Sequence, residues 1–396
     1  MSLIMKLKKV LINLGVIVVS VTLGLLLCEF GSRLVLNPAD YLNVGMVRDP
    51  VFGAVPSATA RGGFDALGFR NRAVPKTADI VAIGDSQTYG NTATMDDSWP
   101  YALGRLLGRH VYNMGLGGYG PNQYFELLRT KALGLKPRMV ICGLSVTDDF
   151  DNAFHLTYGL DYWAHLRTLP GVKVDFDTWD TADEPAPGWQ KKKREWLSQH
   201  SVLYQLVFHT GLGNRVKGEL QIRNAAQLYP GSGTSLIIPD KHIEEAFQPT
   251  GNLHGLDQGR ESVREGMRIT FELLKEMNET CQKNHIQFVV VVIPTKEMVF
   301  SDYLEHNSKI ALGDVVDKLL VNERMALDRT FKYLTDANIT YVDPLPLMQK
   351  SLGEGLFARS ASDMHPNKNG YEIIAEAVAE RLKRVETEKQ PTASAR

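Results

Sequence analysis

The chain has 396 residues, 44% of them hydrophobic, so it can bury a large core as one domain with insertions or as two domains. Its net charge is −1, and this balance gives nucleic acid no general attraction. Three cysteines are too few for a disulfide framework, and no cysteine, histidine or carboxylate cluster has metal-ligand spacing. We therefore expect neither a metal nor another cofactor, and no nucleic-acid partner.

Residues 1–30 are predicted to form a membrane anchor. Lysines within residues 6–9 precede an uncharged apolar run from Val10 to Cys28. As a helix, this run is long enough to cross a hydrocarbon core of about 30 Å. A cleaved signal peptide is the alternative, but the run is long for one and no small-x-small cleavage site precedes Glu29. The lysines place the amino end in the cytoplasm, which predicts a single-pass protein of a bacterial inner membrane with a periplasmic catalytic domain.

The next elements alternate between apolar and amphipathic stretches. Residues 31–75, with Asn-Pro, Asp-Pro and Arg-Gly-Gly sequences, are predicted as a tether and approach segment. Residues 76–385 form the predicted main domain, and residues 386–396 a disordered tail. The predicted strands are 79–83, 110–114, 138–145, 286–293 and 339–342, and the predicted helices are 98–108, 122–134, 260–284, 313–337 and 370–385. This alternation predicts an α/β fold, a flavodoxin-like three-layer sandwich with a mostly parallel central sheet.

The alternation breaks between residues 150 and 258, after the third strand. An insertion there leaves the carboxyl edge of the sheet, so we expect it to lie over the ligand site like a lid. It contains four of the five tryptophans: Trp163, Trp179, Trp189 and Trp196. These rings either shape an acceptor site or form a small core of the insertion. The basic run 191–194 is either a solvated helix face or a contact with anionic lipid or glycan.

Two short motifs carry the candidate chemistry. Gly84-Asp85-Ser86 follows a continuous apolar strand, which puts a serine where open α/β sheets bind ligands. Far downstream, Asp363-Met364-His365 holds a general base and a carboxylate that can orient it. Either motif alone also fits a turn or a helix cap, but together they supply the groups for nucleophilic acyl transfer. Residue 88 is threonine, so the Gly-x-Ser-x-Gly elbow of α/β-hydrolases is missing.

Four sequence blocks, in this order, resemble the SGNH or GDSL hydrolase superfamily. The blocks are Gly84–Ser86, Asn113–Gly120, Gly143–Asn152 and Asp363–Gly370, and the likeness spans roughly residues 65 to 385 with a Leu67–Arg70 lead-in common in membrane-anchored members. The resemblance implies that Ser86 is the nucleophile, His365 the base and Asp363 its orienting partner. It also implies that Gly118 supplies a backbone N–H to the oxyanion hole.

Two positions depart from the family pattern. Asp148 stands where the family places an oxyanion asparagine, and an ionised carboxylate only accepts hydrogen bonds. Three alternatives stay open: a protonated Asp148 donates, Asn152 takes the role, or the backbone N–H groups of Ser86 and Gly118 suffice. The second departure is the one-residue gap between Asp363 and His365. This gap resembles the alginate acetyltransferase branch, which modifies polysaccharides outside the cytoplasm.

Together these features predict a serine-dependent acyl-ester hydrolase or O-acyltransferase that acts outside the inner membrane. Its expected partners are an acylated, in particular acetylated, carbohydrate or another ester substrate, and the inner membrane. The alternative is a catalytically weakened SGNH-fold protein that binds glycan or assists envelope assembly, which Asp148 favours. Lys296, just after the strand 286–293, is a candidate for holding an acidic substrate group, with a solvent-exposed turn as the alternative.

Overall fold

The computed structural model describes residues 2–57, 64–174, 188–209, 235–238, 243–247, 249–306, 313–357 and 364–388. Asp363, Trp179 and residues 389–396 of the predicted tail lie outside these ranges, and of Trp189 only the backbone is described. The strands are β1 (Met46–Asp49), β2 (Gly53–Pro56), β3 (Ile80–Gly84), β4 (Val111–Gly115), β5 (Met139–Ser145), β6 (Ser235–Ile238), β7 (Ile243–Ala246), β8 (Gln287–Ile293) and β9 (Thr340–Val342).

The described helices begin with a long amino-terminal helix and end with the helix that follows His365. They are α1 (Ser2–Val35), α2 (Ser86–Tyr89), α3 (Trp99–Leu107), α4 (Pro121–Thr130), α5 (Asp148–Gly159), α6 (Gly188–His200), α7 (Val202–His209), α8 (Pro249–Leu256), α9 (Glu261–Lys283), α10 (Lys296–Val299), α11 (Ser301–His306), α12 (Gly313–Asp336), α13 (Leu345–Lys350) and α14 (Lys368–Glu388).

Five parallel strands form the central sheet in the order β4-β3-β5-β8-β9. The side chains of β3, β5 and β8 are almost all buried on both faces, which is why these strands are continuous apolar runs rather than alternating ones. Helices α3 and α14 pack together, and α4 and α5 pack on α9. In a right-handed arrangement these two groups cover opposite faces of the sheet. The predicted α/β fold with a mostly parallel sheet is therefore confirmed.

The first part of the stretch between β5 and β8 has its own small core. Helix α5 and the 3-10 helix Asp161–Leu166 pack on α9, with Trp163 only 1% exposed. The indole Nε1 of Trp163 donates to the Val51 carbonyl at 2.8 Å. For Trp163, therefore, the core interpretation holds and the acceptor-site interpretation is wrong. Trp196 differs, because 59% of it is exposed.

Helix α1 contains an apolar stretch, Leu7–Val35, with a mean hydropathy of 2.6. The most apolar part of this stretch is not buried against the rest of the protein. Its length and composition suit a membrane span, and a signal sequence meets the same criteria. The helix runs to Val35, five residues beyond the predicted end of the anchor.

Three glycines lie side by side at the carboxyl ends of neighbouring strands. Gly84 on β3 pairs with Gly115 on β4 and with Gly143 on β5. Helix α2 rests directly on them: a Cβ at Gly115 would lie 2.3 Å from the Tyr89 nitrogen, and one at Gly143 would lie 2.2 Å from Thr88 Oγ1. The absence of side chains at this row is what lets the Ser86-bearing turn approach the sheet so closely.

We expect Gly115→Ala to destabilise the protein and to displace the turn that carries Ser86. The added methyl group would meet backbone atoms of Thr88 and Tyr89, which cannot move without shifting the whole turn. Overpacking of this kind typically costs about 1–3 kcal/mol in the free energy of unfolding. The measurement is denaturant unfolding of both proteins. Gly134→Ala is the matched control, because no atom lies within 4 Å of a Cβ there. Equal stability of the two variants would contradict the close approach.

Candidate active site

Ser86 and His365 meet at the carboxyl edge of the sheet. Ser86 is the first residue of α2, directly after β3, and His365 lies just before α14. The imidazole Nε2 of His365 lies 2.8 Å from Ser86 Oγ, although 279 residues separate the two in the chain. Both side chains are half-buried, so the hydroxyl is reachable by a ligand. This is the contact that a general base needs to activate a nucleophilic hydroxyl.

The loop that carries His365 is fixed on both sides of the histidine. The Asn367 amide donates to the carbonyls of Gly355 at 2.8 Å and Phe357 at 2.9 Å, and Phe357 forms a β-bridge with Pro366. On the other side, the Thr92 hydroxyl donates to the Pro366 carbonyl at 2.6 Å. The last bond connects the His365 loop directly to the segment that follows α2, so the base and the nucleophile share one support.

Arg70 fixes the far end of the Ser86 turn. Its guanidinium donates to the carbonyls of Tyr89 and Gly90 and, at 3.0 Å, of Ala93, and it stacks 4.1 Å over the Tyr89 ring. Arg70 is only 2% exposed, and its guanidinium lies 3.7 Å from the Asp40 carboxylate. The sequence shows Arg70 in the Leu67–Arg70 lead-in but gives it no role. A charged residue beside the apolar Phe69 is the only signal for this function, and the signal does not identify the partner.

Two of the predicted oxyanion residues, Gly118 and Asn152, meet at the glycine loop that follows β4. Gly118 is exposed and has a φ of +78°, a conformation that favours glycine. The adjacent Gly117 is close to the nucleophile, because a Cβ there would lie 3.8 Å from Ser86 Cβ. The Asn152 amide donates to the Tyr119 carbonyl over 3.4 Å, which is a long bond for an amide donor. Asn152 therefore lies beside the glycine loop and is only loosely held there.

The two neighbouring aspartates at the start of α5 have different environments. Asp149 is fully buried and accepts bonds from the Ser145 nitrogen at 2.8 Å and the Tyr124 hydroxyl at 2.7 Å, so it holds the end of β5. Asp148 has an exposed side chain. Surrounding protein atoms raise the pKa of Asp148 while the nearby His365 opposes the rise. Since water reaches the exposed Asp148 side chain, we take this rise to be modest.

Asp85, directly before Ser86, is a buried acid with a strongly raised pKa. Burial, together with the neighbouring Asp148 charge, raises the pKa of Asp85 to about 7. Its Oδ1 accepts the Gln87 N–H at 2.8 Å, whereas its buried Oδ2 has no hydrogen-bond partner among the described residues. Asp85 thus shapes the turn and also carries a proton that leaves near neutral pH.

Lys296 is fully buried rather than on an open surface. It begins α10, and its Nζ lies 5.7 Å from the Phe247 ring centroid and 5.4 Å from that of Phe357. Its neighbour Glu297 is also buried and accepts a bond from the Asn252 amide at 2.8 Å. The structure therefore does not bring Lys296 to an open part of the Ser86 site, and the alternative of a solvent-exposed turn is wrong for Lys296. A role in substrate binding stays a prediction.

A protein-family model matches the carboxyl-terminal part of the chain. Residues 257–396 match a family model described as the SGNH hydrolase-like domain of the acetyltransferase AlgX. This segment includes His365 but not Ser86. A search of characterised proteins found no match by sequence. Among the described residues, no group of three or more histidine, cysteine or carboxylate side chains could hold a metal ion.

Several solved structures are similar in outline. A protein of the G-D-S-L family from Desulfitobacterium hafniense is 15% identical, with a TM-score of 0.37 over 76% of this chain and 98% of its own. A GDSL-like lipase from Bacteroides thetaiotaomicron is 12% identical, with a TM-score of 0.32 over 77% and 88%. Axe2, an acetylxylan esterase from Geobacillus stearothermophilus, is 11% identical, with a TM-score of 0.36 over 77% and 94%.

The family match covers the carboxyl-terminal third of the chain, and the nucleophile block lies far upstream of it. The fold supplies the connection, because a single parallel sheet brings Ser86 and His365 within 2.8 Å at its carboxyl edge. The carboxyl-terminal segment of the chain is therefore similar to the SGNH hydrolase-like domain of the acetyltransferase AlgX.

Proposed function

We propose that this chain is a serine-dependent acyl-ester enzyme, an esterase or an O-acyltransferase, that acts on acetylated carbohydrate outside the inner membrane. The observation that carries the proposal is the 2.8 Å contact between Ser86 Oγ and His365 Nε2. The AlgX-like segment supports acetyl-group chemistry on a carbohydrate. The apolar, lysine-flanked α1 supports attachment to the membrane with the domain on its outer side.

The first half-reaction forms an acyl-enzyme. Ser86 Oγ attacks the ester carbonyl while His365 Nε2 accepts its proton, and the tetrahedral intermediate then expels the alcohol, which takes the proton from the imidazolium. Asp363, which lies outside the described residues, is proposed to orient the imidazole. In the second half-reaction His365 deprotonates the acceptor: water completes hydrolysis, and a sugar hydroxyl completes transfer. The same acyl-enzyme serves both outcomes.

The oxyanion needs donors that are fixed before the reaction. We propose the backbone N–H groups of Gly118 and Ser86 as the main donors, since Gly118 is exposed and directly follows Gly117, which lies close to Ser86, and Ser86 begins a helical turn. Asn152 is the next candidate, because its amide already lies beside the same loop. Asp148 contributes only in its protonated form, because the ionised carboxylate would repel the developing charge.

The alternative function, that of a catalytically weakened protein that binds glycan, rests on Asp148 alone. A site that had lost catalysis would have no need for a fixed histidine at hydrogen-bond distance from an accessible serine. Here the loop that carries the histidine is held by hydrogen bonds on both sides, through Thr92 on one side and Asn367 on the other. This arrangement favours the enzyme.

We expect a fluorophosphonate probe to label the full-length, detergent-solubilised protein. Labelling should vanish in Ser86→Ala, and in His365→Ala its rate should fall at least about 1,000-fold. The reason is that the probe reacts only with a hydroxyl that a base activates. The measurement is the labelling rate by in-gel fluorescence. Ser98→Ala is a control, because the Ser98 hydroxyl donates to the Met95 carbonyl at 2.8 Å rather than to a histidine. Failure of the folded wild type to react would contradict the proposed enzyme.

We expect Asp148→Asn to accelerate ester hydrolysis by about 10-fold or more above neutral pH, because the amide donates at every pH whereas the carboxylate stops donating once ionised. The measurement is kcat for p-nitrophenyl acetate as a function of pH. Asp151→Asn removes the same charge one turn later in α5, where the carboxylate pairs with His155 at 3.1 Å. Matching pH profiles for the two variants would contradict a role of Asp148 at the oxyanion.

The buried acids predict how stability depends on pH. Burial raises the pKa of Asp85 to about 7 and that of Glu323 to about 8, so the folded state holds protons that the unfolded chain releases near pH 4. The free energy of unfolding therefore falls as the pH rises from about 4 to 8. We expect Asp85→Asn to be more stable than the wild type at pH 8, by up to about 4 kcal/mol, and similar at pH 4. Denaturant unfolding at pH 4 and pH 8 tests this. The exposed Asp328→Asn is the control, and its free energy of unfolding should depend on pH as that of the wild type does.

A further inference from the structure

The end of the proposed membrane helix is part of the folded domain. Glu29, one residue beyond the apolar run, accepts bonds from the backbone N–H groups of Val202 at 3.0 Å and Leu203 at 2.9 Å, and from the Ser201 hydroxyl at 2.9 Å. These N–H groups open α7 and have no partner within that helix, so the Glu29 carboxylate acts as its cap. Arg33 pairs with Glu29 at 2.7 Å and donates to the His200 carbonyl at 2.6 Å.

These bonds fix the height of the α6–α7 corner above the membrane. If the run ending at Cys28 fills the hydrocarbon core, Glu29 lies at its boundary, and residues 201–203 lie beside it. The headgroup layer is about 5–7 Å thick on each side of the core. The corner between α6 and α7 therefore lies within this layer, whatever the direction in which α6 leaves it.

Helix α6 carries an exposed basic face close to this corner. Lys192, Lys193 and Arg194 are all exposed. They lie six to eight residues before His200, which is at most about 12 Å along the helix. That distance is comparable with the Debye length of about 8–10 Å, and long basic side chains extend further toward the surface.

Exposed apolar side chains occur on α6 and on the two helices that meet it at this corner. Trp196 is 59% exposed and stacks on His200 with ring centroids 4.9 Å apart, which places its ring next to the corner. Val207 on α7 and Phe30 and Leu34 on α1 are also exposed, at 57%, 63% and 71%. Exposed tryptophan with basic residues beside a membrane helix is the composition of an interfacial surface.

We infer that α6 is an interfacial helix that binds anionic phospholipid headgroups next to the anchor, through Lys192, Lys193, Arg194 and Trp196. The inference rests on the membrane attachment under the proposed function, and it does not depend on catalysis by Ser86. If α6 binds the membrane, the domain is held in one orientation. A single anchor leaves the domain free to rotate about the α1 axis, whereas a second contact with the membrane surface prevents that rotation. A solvated face or a site for anionic glycan are the competing interpretations of the same charges.

Site-specific photocrosslinking in nanodiscs tests the inference. Benzoylphenylalanine replaces Lys193, or Lys332 on α12 as a control that is also an exposed basic residue on a helix, in the full-length protein. A third position, Val19, reports the anchor. The discs contain clickable phosphatidylglycerol, or phosphatidylcholine alone. We expect lipid adducts at residue 193 to exceed those at residue 332 about 5-fold or more, and to fall by a similar factor with Lys192→Glu plus Arg194→Glu.

Each other result overturns a definite statement. Adducts at residue 19 with equal, low yields at 193 and 332 overturn the interfacial helix and leave the anchor. Absence of adducts at residue 19 overturns both the interfacial helix and the membrane anchor. If soluble alginate abolishes the lipid adduct at residue 193 and salt of equal ionic strength does not, the basic face is assigned to glycan instead of lipid. Fluorophosphonate labelling of Ser86 in the same discs is read in parallel, so an inactive serine with intact lipid adducts overturns only the proposed enzyme.

Discussion

The close seating of one helical turn on the sheet is the constraint on which the site depends. Ser86 is useful only if its hydroxyl is held still, and a four-residue helix has little stability of its own. The glycine row at the ends of β3, β4 and β5 lets that turn rest on the sheet, and Arg70 binds the carbonyls at its other end. Sheet packing and one buried guanidinium thus replace the intrinsic stability that the turn lacks.

The base reaches this turn from the other end of the domain. Since β3 begins the sheet's sequence order and α14 ends it, only closure of the whole α/β unit brings His365 beside Ser86. The loop is then held by Thr92 and Asn367 rather than by contacts of the imidazole alone. Any local change that shifts Thr92 moves nucleophile and base together, which preserves their distance better than two independent supports would.

The sequence predicts best what depends on local pattern. The five strands are apolar runs that end within a few residues of the observed ones, and Ser86 follows directly from the position of its motif after β3. It predicts poorly what depends on distant partners. The burial of Lys296 is set by Phe247 and Phe357, which lie about fifty residues before and sixty residues after it, and no local pattern contains that information. The burial of Trp163 likewise depends on Val51.

The acidic cluster around the nucleophile explains how the departure at Asp148 is compatible with an oxyanion. If Asp85, Asp148 and Asp149 were all ionised, their charges would oppose the negative intermediate in a poorly solvated site. Burial instead raises the pKa of Asp85 to about 7 and that of Asp149 well above its ordinary value, which reduces the negative charge that these two groups hold near neutral pH. The remaining charge on Asp148 faces water and lies near His365, where it stabilises the imidazolium that forms as Ser86 attacks. One carboxylate can therefore weaken the oxyanion hole and support the base, and the balance between these effects is set by the protonation of its buried neighbours.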